Sequence, residues 1–243
     1  MAGFFKKIRE AQRPYCTALV AAAGSSTRMG EGVNKLLEPL SGVPVLARTL
    51  QALNRAAGID AIVIAAREEE ILPFSDLCRT YGITKPVKVV RGGDSRTESV
   101  LCAALEADSR TRLFAVQDGA RPLVTPELID RVVAKAARCN AAAPAIPVTD
   151  TIKVAREGRV EHTLNRDALM AVQTPQAFEA DLLKAALQKA IESGTPVTDD
   201  CSAVEHLGKI VYLVEGSAEN LKITTPLDLV IAEAILAERQ EGI

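Results

Sequence analysis

The run Ala21-Ala22-Ala23-Gly24-Ser25-Ser26-Thr27-Arg28-Met29-Gly30, followed by Lys35, sets small residues and two glycines beside two cations. Small side chains let backbone N–H groups approach an anion closely. Arg28 and Lys35 add fixed positive charge, and a triphosphate is the natural guest of such a loop. The run is neither the P-loop G-x-x-x-x-G-K-[ST] nor the dinucleotide fingerprint G-x-G-x-x-G, so it points to a nucleotide site of a third kind. Four more clusters carry polar and glycine residues: Gly92-Gly93-Asp94-Ser95-Arg96 with Ser99, Asp118-Gly119-Ala120-Arg121-Pro122, Gln173-Thr174-Pro175-Gln176, and Asn220-Leu221-Lys222-Ile223-Thr224. Each alone has a bland reading as a turn, a helix cap or a surface lysine. Their joint occurrence at strand ends favours a shared site, because ligands of open α/β sheets bind outside the carboxyl ends of strands.

The elements that must position these clusters alternate. Strands are expected at 16–23, 61–66, 87–90, 113–116 and 141–147. Helices are expected at 44–57, with Leu46, Leu50 and Leu53 on one face, at 68–81 with an interruption at Pro73, at 98–107 and at 126–138. The rhythm breaks between Val148 and Leu169, where short alternating runs at 151–154 and 160–164 flank Glu157-Gly158, a hairpin signal. It resumes with a helix at 180–191, a strand at 210–214 and a helix at 227–238. The expected fold class is α/β: a Rossmann-like, mostly parallel twisted sheet with helices on both faces and a projecting β-hairpin arm. The expected organisation is an N-terminal leader over 1–14 and one domain over 15–243, with the arm inserted at about 148–169.

Composition excludes other classes. With 29 basic and 31 acidic side chains the formal net charge is −2, which leaves no global footprint for nucleic acid. Aromatics make up 3% and Trp is absent, against a base-stacking platform. No apolar run reaches about 18 residues, so no membrane span is expected. The five cysteines, Cys16, Cys78, Cys102, Cys139 and Cys201, are widely spaced, as buried free thiols in a reducing, cytoplasmic compartment would be. Neither His162 nor His206 falls within a motif, so a histidine base is not expected.

The ordered set AAAGxxxRM…K, GGDxR…S, DGARP, TPQ and KIT-x-P-x-D resembles the 2-C-methyl-D-erythritol 4-phosphate cytidylyltransferases, from about Thr17 to the last helix. The first motif alone would indicate only the wider sugar-nucleotidyltransferase class. The resemblance implies transfer of a cytidylyl group from CTP to 2-C-methyl-D-erythritol 4-phosphate in non-mevalonate isoprenoid synthesis, with Mg²⁺ bound mainly through the CTP phosphates. It implies Arg28, Lys35 and Lys222 as catalytic cations at the α-phosphate. Ala22, Ala23, Gly24, Gly93, Asp94, Ser99 and Asp118 would bind the nucleotide, with Asp118 close to the metal. Cytosine presents an N4 amino donor, and the Asp94 carboxylate is an acceptor suited to it. Arg121, Thr151, Arg166 and Thr174 would face the polyol phosphate, and the arm would cross to a second copy in a homodimer. One departure stands out: Asn34 precedes Lys35 where the family usually has proline, which is expected to loosen the lysine. Ribitol 5-phosphate is an alternative acceptor, and a non-catalytic nucleotide-binding protein is the rival of another class. The intact charges Arg28, Lys35, Asp118 and Lys222 argue against that rival.

Overall fold

The computed structural model describes residues 13–24 and 34–241. Arg28, with the rest of 25–33, and nearly all of the expected leader lie outside the described residues. Apolar runs free of Gly and Pro form the central strands β1 (Cys16–Ala21) and β4 (Ala61–Ala66), which pair in parallel. Between them come the two-residue strands β2 (Pro39–Leu40) and β3 (Val43–Pro44), and helix α1 (Val45–Arg55). Beyond β4 follow α2 (Ile71–Thr80), β5 (Val87–Arg91), α3 (Arg96–Leu105), β6 (Leu113–Asp118), α4 (Pro126–Cys139) and β7 (Ala141–Pro147). Strands β5, β4, β1 and β6 form a continuous parallel block.

Side chains alternate across this sheet, and each face has its own core. Ala18, Val20, Ile62 and Ile64 point to one side, where Leu46, Leu50 and Leu53 of α1 and Ile129 and Val132 of α4 cover them. Leu19, Val63 and Val116 point to the other, under Val100 and Ala103 of α3 and Leu183 and Leu187 of α5 (Ala180–Ser193). Burial on both faces is why these strands read as unbroken apolar runs.

The second half departs from a simple alternation. Among the described residues, strands β8 (Lys153–Arg156) and β9 (Arg159–Thr163) pair only with each other, through a turn in which Glu157 and Gly158 both have positive φ (49° and 76°). Positive φ at both central residues is the hairpin turn whose twist matches its strands. After it, β10 (Met170–Val172) and β11 (Gln176–Glu179) run antiparallel to β7, and β11 is inserted between β7 and β6. The cluster Gln173-Thr174-Pro175-Gln176 is expected at a strand end with no strand of its own, because a short segment next to Pro175 carries no strand pattern. Its strand is imposed by the neighbours it pairs with. Helix α6 (Asp200–His206) was also missed, and β12 (Tyr212–Glu215) joins β7 in parallel before α7 (Pro226–Glu241). The expected interruption at Pro73 does not occur. That residue lies in the first turn of α2, where a missing N–H costs no helical bond, and a separate 3₁₀ turn, Glu68–Glu70, precedes it.

Asp130 fixes the chain between α1 and β4. Its Oδ1 accepts from the Gly58 N–H at 2.6 Å and its Oδ2 from the Ala57 N–H at 3.2 Å. A Cβ at residue 58 would lie 3.0 Å from Asp130 Oδ1. Replacing Asp130→Ala orphans two donors and is expected to cost about 1–2 kcal/mol. That corresponds to a fall of roughly 2–8 °C in Tm by calorimetry. An unchanged Tm would contradict this account of the turn.

Candidate active site

Backbone hydrogen bonds draw the strand ends together. Ala22 N–H donates to the Ala65 carbonyl (2.9 Å), Gly92 N–H to Ala66 (2.8 Å) and Gly119 N–H to Ala21 (3.1 Å). They frame a cleft of about 330 Å³ lined by Ala22, Ala23, Gly24, Lys35, Gly93, Asp94, Ser95, Arg96, Ser99, Asp118, Gly119, Ala120 and Lys222, among others. The clusters after β1, β5 and β6 and the Lys222 segment are thus brought to one place.

The loop after β5 is packed too closely for side chains at its glycines. A Cβ on Gly92 would lie 2.7 Å from Ser99 Oγ and 2.9 Å from Ala23 Cβ, and one on Gly93 only 2.4 Å from Glu98 Cβ. Ser95 caps α3: its Oγ accepts from Glu98 N–H (3.1 Å), while Glu98 Oε2 accepts from Ser95 N–H (2.8 Å). This Ser-x-x-Glu box is legible in the sequence and starts the helix at Arg96, ahead of the expected residue 98. Ser99 is buried, and its hydroxyl donates to the Ser95 carbonyl (2.8 Å) and accepts from Gly93 N–H (3.2 Å). It therefore holds the loop from below as well as lining the cleft.

Asp118 ends β6 and is 6% exposed. Its carboxylate meets Lys222 Nζ at 2.8 Å, Arg96 Nε at 3.6 Å and Arg121 Nε at 3.6 Å. Burial acts to raise its pKa, but Lys222, Arg96 and Arg121 outweigh burial and hold it below the ordinary carboxylate value. Asp200, at the start of α6, behaves oppositely. It is 1% exposed and pairs with Arg96 at 2.7 Å, yet burial raises its pKa, with Asp118 and Asp199 adding to the rise. Burial also lowers the Arg121 pKa against the pull of Asp118.

A second layer ties these groups down. Asp118 N–H donates to Thr174 Oγ1 (3.1 Å). Asn220 Nδ2 donates to the Thr174 carbonyl (2.9 Å) and to Gln173 Oε1 (3.3 Å). Arg121 donates to the Asn220 carbonyl (2.5 Å), and Ile223 N–H to the Ala120 carbonyl (2.8 Å), which flanks Lys222 with anchored residues. Gln176 Oε1 accepts from the Asp200 and Cys201 N–H groups at 3.1 and 3.0 Å and so fixes the start of α6.

Of the residues expected from the sequence, Arg121 and Thr174 therefore stand just behind the cleft, in contact with Asp118. Thr151 and Arg166 do not line it. They lie exposed at the base of the arm, and Arg166 donates to the Thr149 carbonyl at 2.7 Å. Arg28 is outside the described residues. Sequence reasoning gives no signal for Asp200 and no role for Arg96, Gln176 or Asn220 within their motifs, since their partners are distant in the chain. Among the described residues no three His, Cys, Asp or Glu side chains converge on a metal position. A Mg²⁺ ion here would have the Asp118 carboxylate as a protein ligand and would need phosphate oxygens and water for the rest of its shell.

The model of the 2-C-methyl-D-erythritol 4-phosphate cytidylyltransferase family matches residues 16–238. A protein of that name from Halalkalibacterium halodurans is 45% identical over 224 residues, covering 92% of this chain and 98% of its own. One from Synechococcus sp. is 43% identical over 229 residues, covering 92% and 97%. Among solved structures, the 4-diphosphocytidyl-2C-methyl-D-erythritol synthase of Anaerococcus prevotii superposes with a TM-score of 0.82 at 29% identity, covering 92% of this chain and 96% of that one. The 2-C-methyl-D-erythritol 4-phosphate cytidylyltransferase of Thermus thermophilus superposes with a TM-score of 0.73 at 32% identity, covering 91% and 98%.

The lowered Asp118 pKa has a sign that can be checked. Its ionised form is favoured by folding, so its stabilisation is complete above about pH 4, the unfolded value, and is lost as pH falls through the lower native value. Asp118→Asn is expected to destabilise the protein at pH 7 in urea titrations, with the gap to the parent narrowing as pH falls below about 4. A gap independent of pH would contradict the charge cluster.

Proposed function

The chain belongs to the 2-C-methyl-D-erythritol 4-phosphate cytidylyltransferase family, and from that premise we propose that it transfers the cytidylyl group of CTP to 2-C-methyl-D-erythritol 4-phosphate, giving CDP-methylerythritol and pyrophosphate. The observation that carries this reading is the convergence of the Gly93–Ser99 loop, Lys35, Asp118 and Lys222 on one cleft. Domain limits of 15–243, with the arm at about 148–169, belong to the same reading.

An oxygen of the acceptor phosphate attacks the α-phosphorus, and the bond from that phosphorus to the bridging oxygen of pyrophosphate breaks. A phosphate monoester has a second pKa of about 6, so the nucleophile is mostly ionised at neutral pH and no protein base is needed. The protein's work is positioning and charge neutralisation. Cytosine lies against Gly93 and Asp94 on the loop that Ser99 holds. Ala22, Ala23 and Gly24 line the phosphate path, and Lys35 and Lys222 approach the α-phosphate, with Arg28 expected beside them. In this role Lys222 exchanges part of its contact with Asp118 for phosphate oxygen. Mg²⁺, when bound by Asp118 and the triphosphate, supplies charge stabilisation to the leaving pyrophosphate.

Arg121 and Thr174 lie next to Asp118, and in this reading they face the polyol phosphate. The exposure of Thr151 and Arg166, away from the cleft of their own chain, supports an arm that serves a second copy, and we include a homodimer in the proposal. No helix among the described residues is long and apolar enough to cross a membrane. The five cysteines are unbridged, and burial pushes the Cys78 thiol up to about 11. Thiols of this kind support a cytoplasmic setting.

The test is pyrophosphate release from CTP and Mg²⁺ with methylerythritol 4-phosphate and ribitol 5-phosphate offered separately. Release with the first alone is expected. Release with the second alone would keep the chemistry and change the acceptor, and silence with both would overturn the reading. In the same assay Lys35→Ala and Lys222→Ala are each expected to lower kcat by at least about a hundredfold. Parent-like turnover in either would remove that lysine from the mechanism.

A further inference from the structure

Asn34 wraps the backbone of Lys35. Asn34 Oδ1 accepts from the Leu36 N–H at 3.0 Å, and the Asn34 carbonyl accepts from the Leu37 N–H at 2.9 Å. A side-chain oxygen bonded to the N–H two residues on closes an Asx turn and fixes the residue between. On one side, Leu36 is anchored in the core: it is 4% exposed and its carbonyl accepts from Leu46 N–H at 2.9 Å. On the other side the anchor is Glu70, on the 3₁₀ turn beyond β4, whose carboxylate accepts from Asn34 Nδ2.

Glu70 is 5% exposed, and its carboxylate also takes the Arg67 guanidinium and, at 3.3 Å, the Arg67 N–H. The Arg67 side chain is 40% exposed, and an ion pair open to solvent on one side contributes little to stability. Besides capping the Arg67 N–H, this carboxylate accepts from the Asn34 amide, and no apolar residue could do either. The anchorage is the opposite of the loosening expected when asparagine replaces proline at this position.

We propose that Asn34 and Glu70 are positioning residues for the transfer reaction, Glu70 holding the Asn34 amide so that the Asx turn aims Lys35 into the cleft. The proposal rests on the reading of Lys35 as a ligand of the triphosphate. An asparagine turn with a remote carboxylate anchor does here what a proline ring does by restricting the backbone.

The test is turnover of CTP in five variants, with cytidine binding as the control. Asn34→Ala is expected to lower kcat about tenfold or more, because misplacing a reacting or assisting group by about 1 Å costs up to a hundredfold. Binding of cytidine, which carries no phosphate, is expected to stay at the parent level. Adding Asn34→Ala to Lys35→Ala is expected to lower turnover no further, the non-additivity of residues that act as one unit. Asn34→Asp sets a second carboxylate against Glu70 and is expected to lose turnover, and Glu70→Gln in that background restores a donor–acceptor pair and recovers it. Parent-like turnover in Asn34→Ala, additive losses, weakened cytidine binding or failure of the exchanged pair to recover would each overturn the clasp. A fast Lys35→Ala enzyme would overturn both the clasp and the reading of Lys35. A slow Lys35→Ala enzyme beside a fast Asn34→Ala enzyme would overturn the clasp alone.

Discussion

The Asp118 carboxylate, nearly buried at the end of β6, faces Lys222, Arg96 and Arg121 together. A lone carboxylate at such depth would stay protonated, and cations crowded at such spacing would repel one another. Each sign makes the other tenable. Much of the cleft follows from this balance. The Lys222 segment is held to the 118–121 turn, and α3 is tied through Arg96 both to Asp118 and to Asp200 on α6. Asp118 thus keeps cations near the place where a triphosphate would need them.

The polar layer behind the cleft has no apolar substitute. Gln173, Thr174, Gln176 and Asn220 are all buried, and each bonds to main chain across a long separation in sequence. Buried amides bonded to main chain favour a single arrangement, because the alternatives leave more of their groups unpaired. The segment 173–176 is where that constraint is densest, and it is also where β11 enters the sheet between β6 and β7. One short segment closes the sheet and fixes the floor of the cleft.

The parallel block was legible because burial on both faces leaves unbroken runs such as Ala61-Ile62-Val63-Ile64-Ala65-Ala66. The hairpin at Glu157-Gly158 was legible for a different reason, the alternation around a turn pair. Strand β11 was not, since four residues beside a proline adopt a strand only because β6 and β7 supply the partners. The cleft residues Gly93, Asp94, Ser99, Asp118 and Lys222 could be named from motifs at strand ends. Asp200 and Glu70 could not, because their meaning lies in contacts with Arg96 and Asn34 that no local pattern encodes.

A crystal structure with CTP and Mg²⁺ decides whether a nucleotide enters this cleft with its base on the Gly93–Ser99 loop and its phosphates on the lysines. Cytosine is expected against Gly93 and Asp94, with Lys35 and Lys222 within hydrogen-bonding distance of phosphate oxygens and Asp118 still paired with Arg96. A nucleotide bound elsewhere, or one in this cleft with its phosphates turned away from both lysines, would contradict that placement.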